Sequence, residues 1–104
     1  MDVIVSGKNL EVGRALNSHI ADTITHAAGK YFEKPLDAAV TISREGHMYK
    51  VECALHLIPG VNFHSHAETQ DVYSSFDLAA QKLEKQLRRF KRKIKNHHDS
   101  TRRF

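Results

Sequence analysis

The chain has 104 residues, 27% of them charged and 40% hydrophobic, which fits a single soluble domain rather than a disordered chain. Its net charge is +4, and its one cysteine excludes both an internal disulfide framework and a cysteine-rich zinc site. No apolar run approaches the roughly 20 residues that span a bilayer, and the first residues lack the pattern of a signal peptide, so a cytoplasmic protein is expected.

The first third of the chain predicts one strand and one helix. Residues 3–7 are a β-branched run closed by a glycine, which is typical of a strand. Apolar residues then recur at steps of three and four over residues 11–32, which predicts an amphipathic helix. Lys34-Pro35 ends this pattern because proline disfavours helix in the residue before it.

Three strands are predicted next, separated by turn signals at residues 44–47 and at Pro59-Gly60. Residues 38–43 form the first of them. Residues 49–57 and 61–67 alternate between apolar and polar side chains, as strands with one covered face do. In this alternation His56, His64 and His66 fall on the solvent-exposed face.

A long helix closes the chain. Residues 71–75 open it, with Asp71 or Ser74 as the candidate N-cap. The order βαβββα predicts an α+β fold, in which two helices pack on one face of a four-stranded, mostly antiparallel sheet. The predicted domain covers residues 1–97, and residues 98–104 are predicted to be a polar, basic, disordered tail. An apolar seam about five turns long marks the buried side of the helix: Phe76, Ala80, Leu83, Leu87, Phe90 and Ile94.

The positive charge is concentrated on this last helix. Residues 1–81 hold six basic and ten acidic side chains, a balance of −4, whereas residues 82–104 hold ten basic and two acidic ones, a balance of +8. Like charges three or four residues apart destabilise an isolated helix by about 0.2–0.5 kcal/mol per pair. Such a cost favours a polyanionic partner over a merely solvated helix face. Composition leaves DNA, RNA and an acidic lipid surface open, although the narrow seam disfavours membrane insertion.

No catalytic or metal-binding constellation stands out. Eight histidines are present, but no carboxylate or cysteine completes a ligand spacing, so solvent-exposed histidines are favoured over a metal site. Cys53 lies in an alternating strand and is interpreted as a small buried apolar residue rather than a nucleophile. We therefore expect no enzyme, no cofactor, no metal and no small-molecule substrate. RNA cleavage by exposed histidines stays as a minor alternative.

Two stretches carry a more specific pattern. Residues 71–78 read Asp-Val-Tyr-Ser-Ser-Phe-Asp-Leu, and residues 82–91 read Lys-Leu-Glu-Lys-Gln-Leu-Arg-Arg-Phe-Lys. On these residues, and on residues 5–12 and 30–32, the chain resembles the ribosome hibernation promoting factor family, also labelled ribosome-associated inhibitor or sigma-factor modulation proteins. It departs from the family at Gly13, where members usually carry a helix-capping hydroxyl, and at Phe76, which is bulkier than the usual aliphatic residue.

The resemblance implies a non-enzymatic protein that docks on 16S-type RNA of the small ribosomal subunit. There it would occupy the decoding channel, block the mRNA and tRNA sites and inhibit translation in idle or stressed cells. The resemblance reaches only the first domain of long members, so the chain is expected to be a short member or the amino-terminal domain of a long one. Ribosome pairing would then require another factor or a carboxy-terminal domain.

Carried over residue by residue, the resemblance also implies an RNA-binding site. Its residues are Lys82, Lys85, Arg88, Arg89, Arg92 and Lys93, with Lys8 and Lys30 as weaker candidates. The alternative is a regulatory module that binds RNA or a sigma factor outside the ribosome, or a double-stranded RNA module.

Overall fold

The computed structural model describes the backbone of residues 1–102 and the side chains of residues 1–95. This part of the chain forms two helices and four strands in the order βαβββα, which confirms the predicted α+β class. Their bounds are as follows: β1 (Asp2–Lys8), α1 (Arg14–Gly29), β2 (Asp37–Glu45), β3 (Met48–Ile58), β4 (Val61–Thr69) and α2 (Val72–Arg102).

The four strands form one sheet in the order β1-β2-β3-β4. β1 runs parallel to β2 because α1 carries the chain back across the sheet between them, and the other two pairs are antiparallel. In register, Val40 of β2 lies opposite Cys53 of β3, which in turn lies opposite Ser65 of β4. The mostly antiparallel sheet predicted from the sequence is thus confirmed.

Both helices cover the same face of this sheet, and the core lies between the two layers. α1 packs on β1 and on α2, and α2 packs on β3 and β4. Burial of these apolar side chains is the main favourable term in folding. The largest fully buried apolar side chains come from both layers: Ile20, Ile24, Val40, Ile42, Val51, Leu55, Leu57, Phe76, Leu83 and Leu87.

The first helix is shorter at both ends than the sequence predicts. It starts at Arg14 because Gly13 is extended (φ −68°, ψ 165°) and offers no side chain to cap the helix. Val12 lies in the segment before the helix and packs, partly buried, against the core. Its apolar side chain fits the helical spacing in the sequence although the residue is not helical. At the other end, the amides of Tyr31 and Phe32 both donate to the carbonyl of Ala28, at 3.2 and 3.0 Å, so the helix passes into a turn after Gly29.

The second helix begins as predicted and differs at its far end. Asp71 is the N-cap, since its Oδ2 accepts a hydrogen bond of 2.9 Å from the Ser74 amide. The buried seam ends before Ile94, which is 44% exposed, because α2 by then extends past the β4 residues it packs on. The backbone of α2 is helical to Arg102, and the division into a domain of residues 1–97 and a disordered tail stays a prediction. Residues 103 and 104, part of the predicted tail, lie outside the described residues.

Ser75 joins the start of α2 to the sheet and gives a first stability prediction. Its fully buried Oγ lies 2.8 Å from the Tyr49 carbonyl and accepts the Thr69 amide at 2.9 Å. Ser75→Ala removes this partner from two half-buried backbone groups, so we expect the free energy of unfolding to fall by about 1–3 kcal/mol. Urea denaturation measures the change. Ser74→Ala, on the exposed side, is the control, and an equal loss in both variants would contradict this explanation.

Cys53 gives a second prediction, because its thiol is only 2% exposed. Burial raises the pKa of the thiol to about 11, although a hydrogen bond with Ser65 partly opposes the shift. An unfolded thiol has a pKa near 8.5, so this group stabilises the fold below that pH and the contribution is lost as the pH rises from about 8.5 to 11. We expect no reaction with a disulfide reagent at pH 8 until urea unfolds the chain. Rapid labelling of the native protein would contradict the burial.

Candidate nucleic-acid interface

The position of α2 is fixed by its contacts with β4. The helix runs antiparallel to this edge strand, and three side-chain hydrogen bonds link the two elements in addition to the contacts between Ser75 and Thr69. The Ser65 hydroxyl donates to the carbonyl of Ala79 at 2.7 Å. Further along, Lys82 Nζ donates to the His66 carbonyl at 2.9 Å and Gln86 Nε2 donates to the His64 carbonyl at 2.7 Å. The sides of α2 that do not face the sheet are therefore presented to solvent in a defined orientation.

The structure brings together the six basic residues that the sequence predicts on α2. All six are exposed, and helical spacing sorts them into two rows. Among the side chains of residues 1–95, none of the six forms an ion pair with a carboxylate. Their charges are therefore available to an external anion. The outer row, which faces away from the sheet, consists of Lys85, Arg88 and Arg92. The β4-side row, which flanks the edge strand, consists of Lys82, Arg89 and Lys93.

The two weaker candidates lie elsewhere. Lys30, just after α1, places its Nζ 3.1 Å from Glu84 Oε1, and the Tyr31 hydroxyl donates to the same oxygen at 3.4 Å. Lys30 is thus next to α2, but its charge is already matched. Lys8 ends β1, the edge strand opposite β4, and its register partner is Ser43 of β2. The structure does not bring Lys8 together with the six cations of α2.

The uncovered face of the sheet has a different character. It carries Glu52, Glu68 and the three histidines that the sequence predicts there, and His64 and His66 are exposed. The Glu52 carboxylate pairs with Lys50 at 3.1 Å. No group of three or more side chains suited to a metal ion occurs within residues 1–95. The acidic part of the chain thus includes a surface on the opposite side from the helices.

An aromatic cluster that was not predicted from the sequence lies beside the two basic rows. Phe63 of β4 and Phe90 of α2 meet edge to face with their ring centroids 5.4 Å apart, and Phe32 approaches Phe90 at 6.1 Å. An opening of about 240 Å³ lies next to it, lined by Phe63, Gln86, Arg89, Phe90 and Lys93. The sequence placed Phe63 on the inner face of its strand and Phe90 in the helical seam. The sequence therefore contained one indication of this cluster, since it placed both phenylalanines on the faces at which β4 and α2 meet.

No helix in the described part of the chain is both long enough and apolar enough to cross a membrane. The exposed side chains of α2 are mostly cations, which suit an anionic partner.

Known proteins are similar to this chain in sequence and in fold. The family model described as sigma 54 modulation protein / S30EA ribosomal protein matches residues 3–95. A ribosome hibernation promotion factor of Rhizobium meliloti is 38% identical over 99 residues, which cover 95% of this chain and 52% of that protein. A ribosome hibernation promoting factor of Pseudomonas putida is 32% identical over 93 residues, covering 89% of each.

Solved structures with a similar fold are also known. The amino-terminal domain of Thermus thermophilus Protein Y matches with a TM-score of 0.79 and 28% identity, covering 86% of this chain and 99% of that one. A ribosomal subunit interface protein of Coxiella burnetii, 21% identical with a TM-score of 0.71, covers 88% of this chain and 98% of that one and supports the fold alone. The chain spans about half the length of its Rhizobium and Bradyrhizobium relatives, 52% and 47% respectively.

Proposed function

The chain belongs to the sigma 54 modulation protein / S30EA ribosomal protein family, and from this premise we propose that it is a ribosome-binding hibernation factor. Its relatives in Rhizobium meliloti and Pseudomonas putida carry hibernation factor names, which describe binding proteins rather than enzymes. A non-enzymatic role is therefore consistent with the family. The partner we propose is the small ribosomal subunit, bound through its 16S-type RNA in the cytoplasm.

One observation carries this proposal: six cations project from a single packed helix and have no carboxylate partners among the side chains of residues 1–95. Each cation that neutralises a phosphate releases condensed counterions, which provides affinity without sequence readout. About six such contacts would weaken binding roughly 10³-fold between 50 and 200 mM salt. A folded RNA would then be selected by the shape of its grooves and phosphate positions.

The proposed mechanism is steric. Docked by α2 in the decoding channel, the domain would occupy space that mRNA and tRNA require, so a bound subunit could not initiate translation. No group on the protein needs to react. Pairing of ribosomes would require surfaces beyond the helices and sheet described above, supplied by another factor or by a carboxy-terminal domain.

Sedimentation with purified ribosomal subunits tests the proposal. We expect the protein to co-sediment with small subunits at 50 mM salt and to dissociate progressively towards 200 mM. We also expect mRNA that is bound to the small subunit beforehand to prevent the protein from binding. Large subunits, which offer abundant RNA phosphate, control for non-specific charge attraction. Equal binding to both subunits, or binding to a sigma factor but not to small subunits, would contradict the proposal and favour a role outside the ribosome.

A further inference from the structure

The opening between β4 and α2 has a composition that bulk phosphate binding does not require. Phosphate neutralisation needs only cations, whereas two of the five side chains around this opening are phenylalanines. Phe63 and Phe90 are partly buried and form one aromatic wall, with an interplanar angle of 70°. An aromatic wall beside cations is the arrangement by which proteins bind unpaired nucleotides, since every base has a π-face that stacks on such rings.

We propose that this opening holds one unstacked base of a single-stranded RNA segment. The inference rests on the proposed function and deepens it, because it assigns a ligand to one part of the surface. The base would stack on the phenylalanine wall, while Arg89 and Lys93 at the same opening neutralise the phosphates on either side of it.

Gln86 supplies a polar edge for the same base. Its amide nitrogen donates to the His64 carbonyl at 2.7 Å, which fixes the orientation of the side chain against β4. The amide oxygen has no partner among the hydrogen bonds of the described residues, so it is available to accept one from a base. A stacking surface, an oriented acceptor and two cations thus surround one opening.

The size of the opening also favours a single base. Its volume of about 240 Å³ is below the roughly 300–1,000 Å³ of pockets that bury drug-sized ligands. An acidic lipid headgroup would use the cations but would gain nothing from the aromatic wall or from the oriented amide. Charge complementarity and stacking together therefore point to a single-stranded nucleic acid, and the proposed function makes it RNA.

Fluorescence anisotropy with two labelled oligoribonucleotides tests this inference. One is hexauridylate, and the other is an abasic hexamer with the same phosphates and no bases. We expect the wild-type protein to bind hexauridylate about 5- to 150-fold more tightly, the range that corresponds to stacking of one base. Phe63→Leu keeps the apolar volume but removes the ring, so this preference should disappear while binding of the abasic hexamer is unchanged.

Phe32→Leu is the matched control. Phe32 belongs to the same aromatic cluster but does not line the opening, so its variant should keep the preference for bases. Equal binding of the two hexamers by the wild type, or a preference that survives Phe63→Leu, would overturn the inference. So would tighter binding to phosphatidylglycerol vesicles than to hexauridylate. None of these results would remove salt-dependent sedimentation with small subunits, so failure of the inference is distinguishable from failure of the proposed function.

Discussion

Replacing Lys85 and Arg89 by glutamate is expected to abolish co-sedimentation with small ribosomal subunits at physiological salt. The double variant removes one cation from each row of α2 and places two carboxylates where phosphates would lie. Loss of two phosphate contacts should lower the slope of log affinity against log salt by about 2, and repulsion by the new carboxylates adds to the loss. Both side chains are exposed, so the fold should persist.

A control with the same net charge separates local contacts from overall attraction. Arg14→Glu with Lys34→Glu also lowers the net charge from +4 to zero, but both residues lie outside α2. Glutamate at Arg14 in the first turn of α1 is favourable to the helix. This control should bind small subunits nearly as well as the wild type. Unchanged binding by the Lys85 and Arg89 variant, with a normal circular dichroism spectrum, would contradict the assigned site.

Phe76→Ala is expected to give the largest loss of stability. Phe76 is fully buried between α2 and the sheet, and it is the largest side chain in the core. Truncating such a phenylalanine costs about 3–5 kcal/mol, because transfer free energy is lost and a cavity remains. Since small domains are stable by only about 5–15 kcal/mol, the melting temperature should fall by more than roughly 10 °C. Thermal and urea denaturation both measure the effect.

Leu78→Ala provides the comparison on the same helix. Leu78 lies two residues further on and is 43% exposed, so its truncation removes little buried surface. We expect a change within about 0.5 kcal/mol. Similar losses in the two variants would mean that α2 is not packed through the face on which Phe76 lies.

The fold could be predicted because its elements carry strong local patterns. The alternation of residues 49–57 identified the buried residues of β3, and Asp71 identified the start of α2. The errors arose where a local pattern does not report tertiary packing. Val12 continues a helical spacing yet reaches the core from an extended segment, and Ile94 continues the seam where the sheet no longer covers it.

The site was predictable only in part, for a related reason. Charge counting placed the excess positive charge on α2, because its density there is visible in the sequence, and the family resemblance selected six of these cations. Sequence spacing did not show that Glu84 already matches Lys30, or that Gln86 is tied to the backbone of β4. These contacts join residues more than 20 positions apart, so they depend on how the elements pack. The contact between Phe63 and Phe90 likewise depends on how β4 and α2 pack.

The packing of one face of α2 against the core affects how fast the protein can bind a partner. Because Leu83 and Leu87 are anchored in the core, the cations beside them extend from a helix that exists before any partner arrives. A disordered basic segment must lose chain entropy as it binds, whereas this helix loses little. Association should therefore be limited by electrostatically guided collision rather than by a folding step. The association rate constant would then fall steeply with ionic strength, while the amount of helix measured by circular dichroism stays constant through binding.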